Sequence, residues 1–209
     1  MKMSAEAERA RQVQARLLGD RAADSGLSER YRDILNAAAA LFAERGYRAT
    51  SIRDIGDRVG LQGGSLYHHI KSKEALFITI HDLALDNAAD RIRERVAPHG
   101  DPWARLEAAC IALLEIQLDP ASITMPLMNN FQAVPAEVRS QLVARRDAFE
   151  AIFTDLVAAL PLSPAIDPRL YRVLLLTLLN NVSTWYREGR YSPAEIGRQI
   201  MGIFRHEAR

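Results

Sequence analysis

One cysteine, Cys110, stands among 209 residues. No intramolecular disulfide can form, and a reducing compartment is compatible with the chain. No apolar stretch approaches the roughly 20 residues that cross a bilayer; the run VLLLTLL, from Val173 to Leu179, is short. The opening residues MKMSAEAERARQVQ lack the apolar core of a secretory signal. The expectation is a cytoplasmic protein without membrane contact. An excess of charge of one sign is also missing: the formal net charge is +1. Nucleic-acid binding therefore has to come from a local patch. No Ser-His-Asp ordering, phosphate-cradling glycine loop or HExxH spacing is present. His68 and His69 can be drawn with His81 and Asp82 as a metal cluster. Adjacent helical residues diverge by about 100°, however, so both histidines do not easily face one ion. The expectation is no enzyme, no metal and no cofactor.

What is there reads as helix. Apolar residues recur at three- and four-residue steps, and capping residues punctuate them. The pattern predicts an all-α chain of about nine helices. Residues 1–27, rich in Ala, Arg and Glu, form an N-terminal extension, either a loose leader or an arm reaching DNA or a partner. Ser28 caps the first firm helix, with Tyr31, Ile34, Leu35, Ala38, Leu41 and Phe42 along one face, and Gly46 stops it. Ser51 to Asp54 resembles a capping box opening a short helix that ends near Val59-Gly60. A third short helix is expected over 63–70, and Ser72 caps a long fourth. Later starts fall at Asp101-Pro102, Ala121, Pro135, Asp167-Pro168 and the Ser192-Glu195 box. A functional boundary is expected near Ser72, giving 28–72 for DNA and 73–209 for ligand and dimer.

Two short helices joined by Gly60-Leu61-Gln62 are the core of a helix-turn-helix. Gly63, Gly64 and Ser65 are poor helix formers but permit close approach of backbone to another surface. Gln62 and Ser65 can bond base edges. Tyr67 and His68 carry polar tips suited to phosphate oxygens, and Lys71 and Lys73 follow. From Leu27 to Ala75 there are eight Lys or Arg against six Asp or Glu. Pattern more than charge therefore points to DNA.

The stretch GYRATSIRDIGDRVGLQGGSLYHHIKSKEALF resembles the DNA-binding domain of the tetracycline-repressor (TetR) family. Gly46-Tyr47, Thr50-Ser51, Asp54-Ile55, Gly60, Ser65 to His69 and Lys71 to Glu74 carry the likeness. Gly56, Gln62 and Ile70 depart from the family's more usual residues. The resemblance implies that Thr50, Ser51 and Arg53 lie near phosphates at the entry to the second helix. It implies that Gln62, Gly63, Gly64 and Ser65 face base edges, and that Tyr67, His68 and Lys73 grip the backbone. Leu66 and Ile70 read as core, and His69 is favoured for packing over DNA contact.

The resemblance further implies a ligand cavity and a homodimer formed by the last two helices. The penultimate helix agrees, being apolar on more than one side, which requires burial on both. Leu174, Leu178, Asn181, Trp185, Ile196, Ile200, Ile203 and Phe204 are the expected dimer seam; a monomeric core is the plain alternative. Trp103, Leu106, Cys110, Leu113, Leu114, Met125, Met128, Phe131, Phe149 and Phe153 are pocket candidates, an apolar and Met-containing set suited to a flexible apolar ligand. Plain core packing is the competing reading for each. LLNNVSTWYREGRYSPAEI resembles regulators that sense acyl-coenzyme A thioesters. Arg145, Arg146 and Arg172 then either meet that ligand's phosphates or are solvated helix-face residues. The expected partners are double-stranded operator DNA, a second copy of the chain and a small hydrophobic or acyl-coenzyme A effector. The expected function is a ligand-released dimeric repressor of catabolic or efflux genes. An activator and a helical adaptor without DNA binding are the alternatives.

Overall fold

The computed structural model describes residues 27–61, 63–119 and 134–207. Eight helices and no strand occur among them: α1 (Glu29–Ala49), α2 (Ile52–Arg58), α3 (Gly63–Leu66), α4 (Lys73–Val96), α5 (Pro102–Gln117), α6 (Ala136–Ala158), α7 (Pro168–Trp185) and α8 (Pro193–Glu207). The fold is all-α, as the periodicity predicts. The helix expected over 121–131, the leader over 1–26, Gln62, Met125, Met128 and Phe131 lie outside the described residues.

The capping residues act as their chemistry dictates. Ser28 Oγ accepts from the Tyr31 amide at 3.2 Å, and Ser72 Oγ from the Ala75 amide at 3.0 Å. Asp101 accepts from Ala104 at 2.8 Å, with Pro102 opening α5. Asp167 accepts from Arg169 and Leu170 at 2.7 and 3.0 Å, ahead of Pro168. Each bond satisfies amides that the first helical turn leaves without partners. Gly46 (φ 81°) breaks α1 three residues before its end, because its left-handed backbone suits glycine alone at low cost.

The described residues form two compact units, those up to 87 with 134–146 and those from 88 to 119 with 147–207. In the first unit the apolar face of α1 meets Ile55, Leu66, Ile70, Leu76, Phe77 and Ile80 in one buried cluster. Val134, Val138 and Leu142 join that cluster, so the start of α6 helps to support the short helices. Phe77 meets Phe42 and Tyr47 edge-on, with ring centroids 5.2 and 5.0 Å apart.

In the second unit α8 packs on α5. A Cβ on Gly197 would lie 2.7 Å from Ile111 Cγ1 and 3.3 Å from its Cα, so only a glycine fits without movement. Cys110 Sγ lies 3.6 Å from Met201 sulfur, and Tyr171 meets Phe204 edge-on at 5.2 Å. Gln117 Nε2 donates to Asn180 Oδ1 at 2.7 Å, tying α5 to α7.

Candidate nucleic-acid interface

The helix-turn-helix is held from behind by polar ties. Ser51 and Asp54 make a reciprocal box: the Asp54 amide donates to Ser51 Oγ at 3.1 Å, and the Ser51 amide to Asp54 Oδ2 at 2.8 Å. Hydrogen bonds from the Ser51 hydroxyl and amide hold the Asp54 carboxyl below the usual carboxylate range. Arg30 Nη2 donates to Val59 O at 3.0 Å, answering a carbonyl at the end of α2. Arg58 pairs with Glu44 at 3.1 Å. Gly60 (φ 68°) turns the chain into α3.

The recognition segment is shorter as an α-helix than the sequence predicts. Residues 63–66 are α-helical; beyond them His68 N donates to Ser65 O at 3.3 Å and His69 N to Leu66 O at 2.9 Å. These three-residue spans carry a tighter coil to Ile70, whose amide returns to Leu66 O at 3.1 Å. Leu66 and Ile70 point into the core. Gly64, Ser65, Tyr67, His68 and Lys71 are exposed, with Tyr67 at 58%. His69, favoured for packing on sequence, is exposed too: Leu66 and Ile70, four residues apart, take the inward positions. Arg53 is exposed, 4.0 Å from Asp57.

Thr50 and Lys73, expected on the DNA side, are used inside the unit. Thr50 is 1% exposed, and its hydroxyl donates toward Gly46 O at 2.9 Å and Leu41 O at 3.2 Å. Lys73 Nζ donates to Tyr47 O and Thr50 O, both at 2.9 Å, and sits 4.2 Å from the Tyr47 ring centroid. The break at Gly46 leaves carbonyls at the end of α1 without helical partners, and these side chains supply donors. Tyr47 Oη donates to Glu74 Oε1 at 2.7 Å. Burial first, then that bond and the Glu74 charge, push the Tyr47 phenol well above its ordinary range. The same bond is the main reason the Glu74 carboxyl is held low. Ser51 stays exposed at the entry, with its hydroxyl engaged in the capping box.

The expected seam and pocket residues divide. Leu174, Leu178 and Ile203 are exposed, at 54%, 37% and 62%. Trp185 and Asn181 are exposed as well, Asn181 Nδ2 donating to Thr177 O of its own helix at 2.7 Å. Ile196 and Ile200 turn inward and are buried within the protomer, which removes them from a partner-facing role; Phe204 is half-buried against Tyr171. Among the pocket candidates Trp103, Leu106, Cys110, Leu113, Leu114 and Phe153 are buried, and Phe149 is half-buried, 6.4 Å from Phe153. Burial pushes the Cys110 thiol far above its ordinary range, so it behaves as a small apolar side chain. Sequence reasoning did not identify a groove of about 340 Å3 lined by Ala165, Ile166, Asp167, Leu170, Tyr171, Leu174, Ile203 and Phe204. Its wall comes from a turn and two helix ends that no periodicity joins. Two of the three arginines considered for ligand phosphates are paired with carboxylates. Arg145 meets Asp82 at 2.8 Å and Asp86 at 3.6 Å, and Arg172 meets Glu150 at 3.2 Å. Among the described residues no group of His, Cys, Asp or Glu could hold a metal ion, and no helix is long and apolar enough to cross a membrane.

Comparison with known proteins agrees with this geometry. Residues 34–80 match the family described as bacterial regulatory proteins, tetR family. Residues 99–207 match the family described as tetracyclin repressor-like, C-terminal domain. The transcriptional repressor KstR2 of Rhodococcus jostii (strain RHA1) is 50% identical over 84 residues, which are 40% of this chain and 41% of that protein. The chain thus spans about two-fifths of that relative's length in the match. KstR2 of Mycolicibacterium smegmatis (strain ATCC 700084 / mc(2)155) is 31% identical over 188 residues, 84% of this chain and 89% of that one. The crystal structure of AibR in complex with isovaleryl coenzyme A and operator DNA has a TM-score of 0.72 and 25% identity, covering 84% of this chain and 97% of that chain. The chain belongs to the TetR family of bacterial transcriptional regulators.

Proposed function

We propose that the chain is a dimeric repressor that leaves its operator when an apolar or acyl-coenzyme A effector binds. The observation that carries the DNA half of this reading is the recognition segment. Leu66 and Ile70 anchor it, while Gly64, Ser65, Tyr67, His68 and Lys71 are exposed. Gln62 and Ser65 read base edges, while Arg53, Tyr67, His68 and Lys71 hold phosphates. Residues 28–72 supply this surface, and residues 73–209 supply the effector and dimer surfaces. Two copies present two recognition segments about one helical turn apart to a near-palindromic operator. The effector acts by binding more tightly to a head spacing that does not fit the operator. KstR2 being a repressor, and AibR binding isovaleryl coenzyme A and operator DNA, support this reading.

Gel shift against the DNA flanking the chain's own gene tests it. Retention over random DNA at moderate salt is expected, and so is a loss of specificity in Gln62→Ala and Ser65→Ala. Release by isovaleryl coenzyme A, used as the probe thioester, supports the acyl-coenzyme A class. Equal losses on operator and random DNA for both variants would remove the base-reading role.

A further inference from the structure

The turn that leads into the recognition segment is closed by two backbone bonds and one arginine. The Leu61 amide donates back to Gly56 O at 2.9 Å, and the Gly60 amide to Asp57 O at 3.3 Å. With Gly60 in the left-handed region (φ 68°), these two bonds form a glycine-ended helix stop. The Val59 carbonyl takes no part in that pair of bonds. Arg30 Nη2, from the first turn of α1, donates to it at 3.0 Å.

The backbone around Arg30 is itself fixed. Leu27 and Tyr31 pack against the core of the first unit, and Ser28 caps the helical turn that carries Arg30. Val59 and Leu61, on either side of Gly60 in the chain, pack against the same core. The freedom left between them is rotation of the Val59–Gly60 peptide plane, which a glycine permits at low cost. The oxygen of that plane is the atom Arg30 holds. A cation is also favoured at the carbonyl end of a helix. A second tie, from Arg58 to Glu44, reaches the same end of α2 at 3.1 Å. Its anchor stands about 21 Å farther along α1 at 1.5 Å per residue. The side chains of that pair are 42% and 52% exposed, so solvent and salt weaken it. Arg30, half-buried, is the firmer of the two.

We propose that Arg30 is a positioning residue for operator recognition: by fixing the Val59–Gly60 peptide plane it sets the angle at which residues 63–70 leave α2. The proposal rests on the base-reading role of that segment and names the residue that orients it. Hydrogen bonds to base edges depend steeply on distance and angle, so a tilted segment loses them. Phosphate contacts from long or rotatable side chains such as Tyr67 and Lys71 follow a small tilt, and they carry no sequence information. Loss of the tie therefore costs the operator far more than random DNA. A phosphate contact by Arg30 has a different signature, an equal loss on both DNAs with a shallower salt dependence. A purely stabilising role has a third: equal loss through the folded fraction, with the salt slope unchanged.

Arg30→Met in the full-length chain keeps most of the stem and removes the donors. Anisotropy titration compares the flanking-gene fragment that the wild type retains with random DNA, at a temperature where circular dichroism shows every variant folded. Arg30→Met is expected to bind the operator fragment about tenfold more weakly, with random DNA changed less than about twofold and the salt slope unchanged. Arg30→Lys, which keeps a charged donor, is expected to recover part of the loss, and Glu44→Gln to cause none. Amide hydrogen exchange reads the turn itself without DNA. The Gly60 and Leu61 amides are expected to exchange about fivefold faster in Arg30→Met and at the wild-type rate in Glu44→Gln. Exchange that stays at the wild-type rate in Arg30→Met overturns the proposal, and so does unchanged operator affinity. Equal losses on both DNAs overturn it too: a shallower slope makes Arg30 a phosphate contact, and an unchanged slope makes it a stabilising residue only. A wild type that retains no fragment overturns the repressor reading and with it the operator role of Arg30, even where exchange shows that Arg30 holds the turn.

Discussion

Lys73 Nζ reaches the main-chain oxygen of Thr50 at 2.9 Å and, in the same position, that of Tyr47 at 2.9 Å. A lysine two residues beyond the recognition segment thus serves as a cap for α1. The cap matters because Gly46 breaks the helix and strands carbonyls that lie half inside the unit. Lys73→Met keeps most of the apolar stem and removes both charge-assisted bonds. Such bonds contribute about 1.5–3 kcal/mol each, and half-burial places the pair toward the low end. The expected loss for the two bonds together is about 3 kcal/mol in urea unfolding. Operator affinity should fall without a change in its salt dependence, because no phosphate contact is lost. Lys71→Ala should do the reverse: little change in stability, and a log–log salt slope smaller by about 1. A reduced salt slope in Lys73→Met would return that residue to the DNA.

The neighbouring Tyr47–Glu74 bond, at 2.7 Å, makes stability depend on pH at both ends. Glu74 is held below its ordinary value, so its contribution is present above the unfolded carboxyl's range and is lost as pH falls through the lowered one. The Tyr47 phenol is raised, so its contribution is present below the unfolded phenol's range near 10 and is lost as pH rises beyond it. Tyr47→Phe removes the bond and the phenol together. The stability difference between wild type and variant should be level from about pH 5 to pH 10 and shrink on both sides. A difference that is flat from pH 3 to pH 11 would mean the bond is not formed in solution.

These two residues also show where the sequence is legible. The helix-turn-helix register could be read from Ser51-Asp54, Gly60 and the Leu66/Ile70 pair, because caps, positive-φ glycines and inward apolar positions are local rules. The internal use of Thr50 and Lys73 was hidden. It depends on carbonyls freed 4 and 26 residues earlier in the chain, at Gly46 and Tyr47. Ile196 and Ile200 share a helical stripe with Ile203, yet the first two are buried and the last is 62% exposed. Periodicity gives a stripe, and tertiary packing decides which part of it remains uncovered. The groove beside Leu170 was invisible for the same reason: residues 165–174 and 203–204 meet only in the folded unit.

Anchor and grip in the recognition segment should separate by measurement. Leu66 is fully buried and belongs to the core of the first unit. Leu66→Ala should cost about 2–5 kcal/mol, the range for deleting a buried leucine side chain. Tyr67, one residue on, is 58% exposed. Tyr67→Ala should change stability by less than about 0.5 kcal/mol and yet weaken binding to operator and random DNA alike. Calorimetry paired with anisotropy titration checks both. A Tyr67 variant that unfolds as easily as the Leu66 variant would place the tyrosine in the core.

Helices α8 and α5 approach closely at Gly197 and Ile111. In the middle of an exposed helix, Gly→Ala raises stability by up to about 1 kcal/mol through helix propensity. Here the added Cβ would stand 2.7 Å from Ile111 Cγ1 and 3.3 Å from the Ile111 Cα. The Cγ1 contact can be relieved by a rotamer change, but the backbone contact cannot, so α8 has to move off α5. Overpacking of this kind costs about 1–3 kcal/mol, which outweighs the propensity gain. Gly197→Ala should therefore lower the unfolding midpoint, and Gly197→Ala with Ile111→Ala should regain part of the loss relative to the sum of the two single changes. Denaturant titration of the four proteins gives the coupling directly. Additive losses would mean that α8 and α5 stand farther apart in solution than this contact requires.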